Sequence, residues 1–79
     1  MYYVYLIESL SNRRRYVGLT TDLAQRIREH NAGESTYTSS FRPWKLTTYI
    51  AFDSKAKAEA FERYLKSGSG HAFARKRLW

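Results

Sequence analysis

The 79 residues predict an α+β fold: a small three-stranded, mostly antiparallel sheet flanked by helices, in the order β-β-α-β-α-α. Residues 2–9 (YYVYLIES), 14–19 (RRYVGL) and 45–52 (KLTTYIAF) are dense in β-branched and aromatic side chains, as strands are. Residues 22–33 and 54–67 instead carry apolar positions at helical spacing behind capping residues. The first two strands are separated only by the polar Leu10-Ser-Asn-Arg13, which makes them a hairpin and sets the antiparallel order.

Taken in order, the hairpin holds Gly18 inside its return strand. Glycine weakens a strand, so it marks a bulge or a close approach of backbone to another group. Thr20-Thr-Asp22 reads as an N-cap, and the helix that follows has a narrow apolar ridge of Leu23 and Ile27 and closes at Gly33. Residues 32–42 (AGESTYTSSFR) show no periodicity and read as a surface loop. Pro43-Trp44 leads into the third strand. Asp53 or Ser54 caps the second helix, in which Phe61, Tyr64 and Leu65 share a stripe. Ser67-Gly-Ser-Gly70 breaks that helix, and residues 71–79 (HAFARKRLW) form a short basic third helix. No repeat or linker interrupts the chain, which is expected to be one domain over residues 1–79.

A chain this short buries only roughly 60% of its unfolded surface, so its core must lean on aromatics. Seven Tyr, four Phe and two Trp supply them, and 43% apolar residues with a single Pro argue against disorder. The absence of Cys excludes a disulfide scaffold and a thiolate zinc site, and fits a reducing cytoplasm. No apolar run long enough for a membrane span occurs, and the start, MYYVYLIES, reads as structure rather than as a leader. A net charge of +7 favours a polyanionic partner, nucleic acid first.

Several residues could carry chemistry. The hairpin presents Tyr2, Tyr3, Tyr5 and Tyr16, with Tyr3 and Tyr5 on one face because strand side chains alternate. Asp22, Arg26 and His30 follow at four-residue spacing along one helix face, where an Arg and a His can be offered together to a phosphate or simply face solvent. Glu62 sits beside Phe61 and Leu65, with Lys66 one turn on as its ordinary partner. The runs Arg13-Arg14-Arg15 and Arg75-Lys76-Arg77, with Lys66, suit contacts to backbone phosphates. Tyr37, Phe41 and Trp44 flank the polar loop, either to stack on unpaired bases or to pack it down. No carboxylate cluster suits a two-metal hydrolase, and there is no Walker-type loop or serine elbow.

In combination these residues resemble the GIY-YIG nuclease superfamily. Tyr3-Val4-Tyr5 and Tyr16-Val17-Gly18 are similar to its paired motifs, with eleven residues from Tyr5 to Tyr16. Arg26, ten residues after Tyr16, matches its helix arginine, His30 matches a histidine found in several branches, and AEAFERYLK resembles its later helix with Glu62 as the metal ligand. The likeness runs from Tyr2 to about Leu78 and is to the small stand-alone branch, related to the N-terminal nuclease domain of the excision-repair nuclease. Two departures stand out: Tyr3 replaces the first motif's Gly, and no Asn follows Glu62.

The resemblance implies a metal-dependent endonuclease acting on nucleic acid, DNA rather than RNA, with Tyr5, Tyr16, Arg26 and His30 catalytic and Glu62 holding Mg²⁺ or Mn²⁺. Arg26 would clamp the phosphate, and Tyr16 would bond the phosphate or the attacking water. Tyr5 and His30 share or compete for the part of base, since an ordinary tyrosine titrates near about 10 and histidine near about 6.5. The phosphate contacts would come from Arg13, Arg14, Arg15, Lys66, Arg75 and Arg77. All five site residues are expected to converge on one face of the folded domain, with Glu62 on the same side of the sheet as Arg26. The missing Asn keeps open a nucleic-acid-binding module of the same fold with weak or no cleavage, and charge alone would also suit another acidic partner.

Overall fold

A computed structural model describes every residue, Met1–Trp79. The expected order is present: β1 (Tyr2–Ser9), β2 (Arg15–Thr20), α1 (Leu23–Ala32), β3 (Trp44–Phe52), α2 (Lys55–Leu65) and α3 (Gly68–Arg77), with one 3-10 turn at Ser39–Phe41. The three strands form an antiparallel sheet in the order β2-β1-β3. The first strand is thus the central one, and β2 has a strand partner on one side only. None of the helices is long and apolar enough to cross a membrane.

Alternation along β1 divides the core in two. Val4 and Leu6 point to the face covered by α2 and α3, where they meet Ala58, Leu65 and Ala74. Tyr5 and Ile7 point the other way, packing with Trp44 and with Leu23 and Ile27 of α1. Every one of these β1 residues is at most 1% exposed, so the central strand serves two cores at once. A bulge on the β3 side falls between Leu6 and Ile7.

The helices begin where short polar side chains can accept an orphan N–H. Asp22 accepts from Gln25 N at 3.1 Å, Ser54 from Lys57 N at 3.3 Å and Ser67 from Gly70 N at 3.2 Å. Gly33, at φ 84°, closes α1 and donates its N–H to the Glu29 and His30 carbonyls. Of the two caps open for α2, Ser54 is the one used.

Two expectations are corrected. The 67–70 segment does separate the two helices, with α2 ending at Leu65 and Ser67 in extended backbone, but its glycines belong to the next helix: α3 starts at Gly68, not at His71, and takes in both. Ser67 caps it, and Gly70 lets the new helix sit directly on the end of α2, since any Cβ there would run into the Tyr64 carbonyl. The 32–42 segment is not merely a surface loop. It carries Thr38 to 0% exposure, and Trp44 Nε1 donates to the Thr38 carbonyl at 2.8 Å. Asn31 clamps the base of that loop, accepting from Trp44 N at 2.6 Å and donating to Trp44 O at 3.2 Å. Ser9 holds its other end: the hydroxyl donates to Phe41 O at 2.6 Å while accepting Ser11 N and Asn12 N from the hairpin turn.

Candidate active site

Tyr5 lies in the middle of β1 opposite Gly18 of β2. Cross-strand partners share a face, and the Tyr5 ring leans over Gly18 towards the sheet edge. A Cβ on Gly18 would overlap the Tyr5 hydroxyl and Cζ, so only glycine allows this ring position. The sequence signal of a close approach therefore has a defined object.

At its tip the Tyr5 hydroxyl meets α1. Arg26 Nε donates to it at 3.2 Å, and His30 Nε2 stands 2.8 Å away. His30 Nδ1 is in turn 2.7 Å from Thr38 Oγ1, which is 3.5 Å from the Ser35 carbonyl. The ends of this chain fix its direction, because a guanidinium can only donate and a carbonyl can only accept. Arg26 thus donates to Tyr5, Tyr5 to His30 Nε2, His30 Nδ1–H to Thr38, and Thr38 to Ser35. In this assignment each hydrogen along the chain has an acceptor, and the His30 tautomer follows from it.

Burial dominates the electrostatics. It pushes the Tyr5 hydroxyl up to about 12, outweighing the Arg26 hydrogen bond and charge, with Tyr16 and Glu62 adding smaller upward contributions. Burial likewise lowers His30 below its ordinary value, helped by Arg26, so the imidazole is neutral at pH 7. His30 is wholly buried with both nitrogens engaged and is not presented to a phosphate beside Arg26.

Arg26 is the residue of this group that faces outward. Its Nη1 pairs with Glu29 at 2.9 Å, one turn on, while Asp22 is spent as the helix cap. Three of its five N–H groups have no protein partner. Tyr16, paired with Ile7 across the strands, completes the cluster: its ring centroid is 5.3 Å from that of His30 and 6.4 Å from that of Tyr5.

Glu62 arrives differently. Tyr5, Tyr16, Arg26 and His30 gather on the α1 face, whereas Glu62 rides on α2, which packs on the opposite face. The shared side of the sheet is corrected: alternation on β1 puts the two helices on opposite sides. The Glu62 charge still reaches Tyr5, and α2 also touches β2, an edge strand of the sheet. The Glu62 carboxylate accepts from Lys66 Nζ at 3.2 Å. No group of three or more His, Cys, Asp or Glu is placed to cage a metal. A single carboxylate as hard oxygen donor suits an ion such as Mg²⁺, which keeps most of its waters.

A groove of about 550 Å³ runs around this edge, lined by Tyr16, Tyr37, Arg15, Lys66, Arg75 and Trp79 among others. The two basic runs thus meet there, each giving one member. Arg13 and Arg15 also lie 3.8 and 3.9 Å from Glu8, Arg14 stacks over Phe41, and Arg77 closes α3. Of the three loop aromatics, Trp44 is buried and Phe41 lies under Arg14, which leaves Tyr37 at 53% exposure. Sequence reasoning missed Thr38 and Trp79. Neither has a local signal, since each matters only through what the fold brings beside it.

Residues 1–76 match the family model described as the GIY-YIG catalytic domain. A UPF0213 protein of Haloquadratum walsbyi is 42% identical over 67 residues, 84% of this chain and 74% of that one. A UPF0213 protein of Cupriavidus pinatubonensis is 37% identical over 79 residues, covering 95% of this chain and 87% of its own. The solution NMR structure of a UPF0213 protein from Bacillus halodurans superposes with a TM-score of 0.58 at 32% identity, over 96% of this chain and 84% of that one.

Proposed function

Because the chain belongs to the GIY-YIG catalytic-domain family, a family of nucleases, we propose that it is a metal-dependent endonuclease that hydrolyses phosphodiester bonds in nucleic acid, with DNA the expected substrate. Residues 1–79 act as one nuclease domain in this reading. The observation that carries it is the directed hydrogen-bond chain from Arg26 through Tyr5 to His30.

The chain suggests how a water is activated without a free phenolate. With its pKa at about 12, Tyr5 ionises too rarely at neutral pH to serve as a standing base. As the water oxygen attacks phosphorus, its proton passes to the Tyr5 oxygen while the Tyr5 proton passes to His30 Nε2. His30 becomes an imidazolium held by Thr38, and the leaving oxygen departs on the far side of phosphorus. The free N–H groups of Arg26 neutralise the phosphoryl oxygens, and the Tyr16 hydroxyl orients phosphate or water. Glu62, released from Lys66, would hold the divalent cation, which when bound stabilises the departing oxygen as a Lewis acid.

The test is cleavage of plasmid and oligonucleotide substrates with and without Mg²⁺. The absence of an Asn after Glu62, and the hold of Lys66 on Glu62, favour the second reading, a binding module of the same fold. That reading expects steeply salt-dependent binding and no cleavage.

The relay makes a pH prediction. Cleavage should rise from the acid side and level off by about pH 7, because His30 must be neutral and its folded pKa lies below the ordinary value of about 6.5. A rate that keeps climbing through pH 9 would hand the base role to a Tyr5 phenolate. Stability should follow the same residue. Unfolded His30 takes up its proton near about pH 6.5 while folded His30 resists, so its contribution is full above that pH and declines below it. Thermal unfolding between pH 7 and 5 checks this, and a His30→Gln variant should show a flatter acid limb.

A further inference from the structure

We propose that the groove around the β2 edge receives an unpaired nucleotide, its base on Tyr37 and Trp79 and its phosphates on Arg15, Lys66 and Arg75. The inference rests on the nuclease reading and names its substrate class: single-stranded or frayed nucleic acid.

Three observations carry it. First, the groove has room for a base, about 550 Å³, and its charged lining residues are all basic, with no Asp or Glu. A cationic wall beside aromatic rings is how proteins hold single strands, through phosphate contact and base stacking together. Second, the aromatic rings form a column that leads out of the site. His30 and Tyr16 are 5.3 Å apart, and Tyr16 and Tyr37 are 5.9 Å apart with planes only 31° from parallel. Tyr37 is 53% exposed beyond Tyr16, with Phe41 edge-on 5.9 Å away, so a base stacked on its exposed surface continues the column. Third, another aromatic ring of the lining already seats a planar cation: the Arg15 guanidinium lies 4.9 Å from the Trp79 ring centroid. An entering base takes that seat, and Arg15 turns to the phosphate. The apolar floor of Val17, Leu65 and Ala74 suits the base and not the backbone. Paired bases are stacked inside a duplex and cannot enter.

The test titrates the full chain, without divalent ions, with an eight-residue oligodeoxythymidylate, its oligouridylate equivalent, an abasic deoxyribose-phosphate strand of equal length and a closed duplex hairpin with the same number of phosphates. Intrinsic tryptophan fluorescence reports the groove through Trp79, which lines it, while Trp44 is buried and is not part of the lining. The base-bearing strand is expected to bind about tenfold tighter than the abasic strand and to change the fluorescence. Whichever of thymidylate and uridylate binds tighter names the sugar. Tyr37→Ala, at an exposed position, should erase the difference and leave abasic affinity unchanged. Equal affinity for base-bearing and abasic strands, or for duplex and single strand, overturns the proposal. Failure of the nuclease reading looks different: stacking and fluorescence changes persist, but no substrate is cleaved in Mg²⁺. Duplex cleavage with no base-dependent binding overturns the groove assignment alone.

Discussion

Arg26→Ala is expected to cut the cleavage rate by about 10²–10³-fold while leaving the fold intact, the range typical for removing one preorganised electrostatic group. Glu62→Ala should cost as much, but with the opposite effect on binding. Losing Arg26 removes a cation and weakens substrate affinity. Losing Glu62 removes an anion and frees Lys66 from its 3.2 Å contact, so affinity should hold or improve while cleavage is lost. Neither residue is an apolar core position, and in the Arg26 variant Tyr5 keeps His30 as its acceptor, so each stability change should stay within about 1 kcal/mol. Single-turnover rates, a binding titration and thermal unfolding on the same preparations separate the effects. Both variants folded and cleaving at the wild-type rate would sink the proposed site.

Gly18→Ala should do as much damage from a residue with no functional group. Its Cβ would occupy the space of the Tyr5 hydroxyl and ring edge, so either β2 backs away or Tyr5 swings off Arg26 and His30. Overpacking of this kind costs about 1–3 kcal/mol. Breaking a general acid–base relay costs about 10²–10⁴-fold in rate. The two residues should also be strongly coupled. In a Tyr5→Leu background, which clears the space, Gly18→Ala should become nearly neutral for stability, and additive effects would show that the contact is not the cause.

How much of this can be read from the chain itself varies with the range of the signal. The strands, their order and the helix starts are legible, because β-branched density, capping residues and Gly33 act within a few positions. Gly18 is legible as a close approach, though not as an approach by Tyr5. Gly68 and Gly70 mislead: judged by propensity they end a helix, yet Ser67 caps the next one and the missing Cβ serves its packing. Thr38 reads as one more polar loop residue, and its burial depends on Trp44 and His30 from separate elements. The distribution of site residues over two faces is a consequence of β1 lying in the centre of the sheet, which no spacing along α1 or α2 reveals.

The one-sided pairing of β2 also bears on how copies of the protein are kept from pairing with one another. An unpartnered strand is a template for another strand, and proteins usually blunt such an edge with a covering helix, a proline or charge. Here a cover would close the groove, so charge is the means left. Arg15 begins the strand, Arg13 and Arg14 precede it, and Lys66 and Arg75 stand beside the groove, which sets two copies of this edge against each other. The +7 that draws a polyanion in is the same charge that holds sister molecules apart. Salt shortens the reach of that repulsion, to about 3 Å at 1 M. Concentrated protein should therefore self-associate more readily as salt is raised, and a variant neutral at Arg13, Arg14 and Arg15 should do so even in dilute buffer, as light scattering would register.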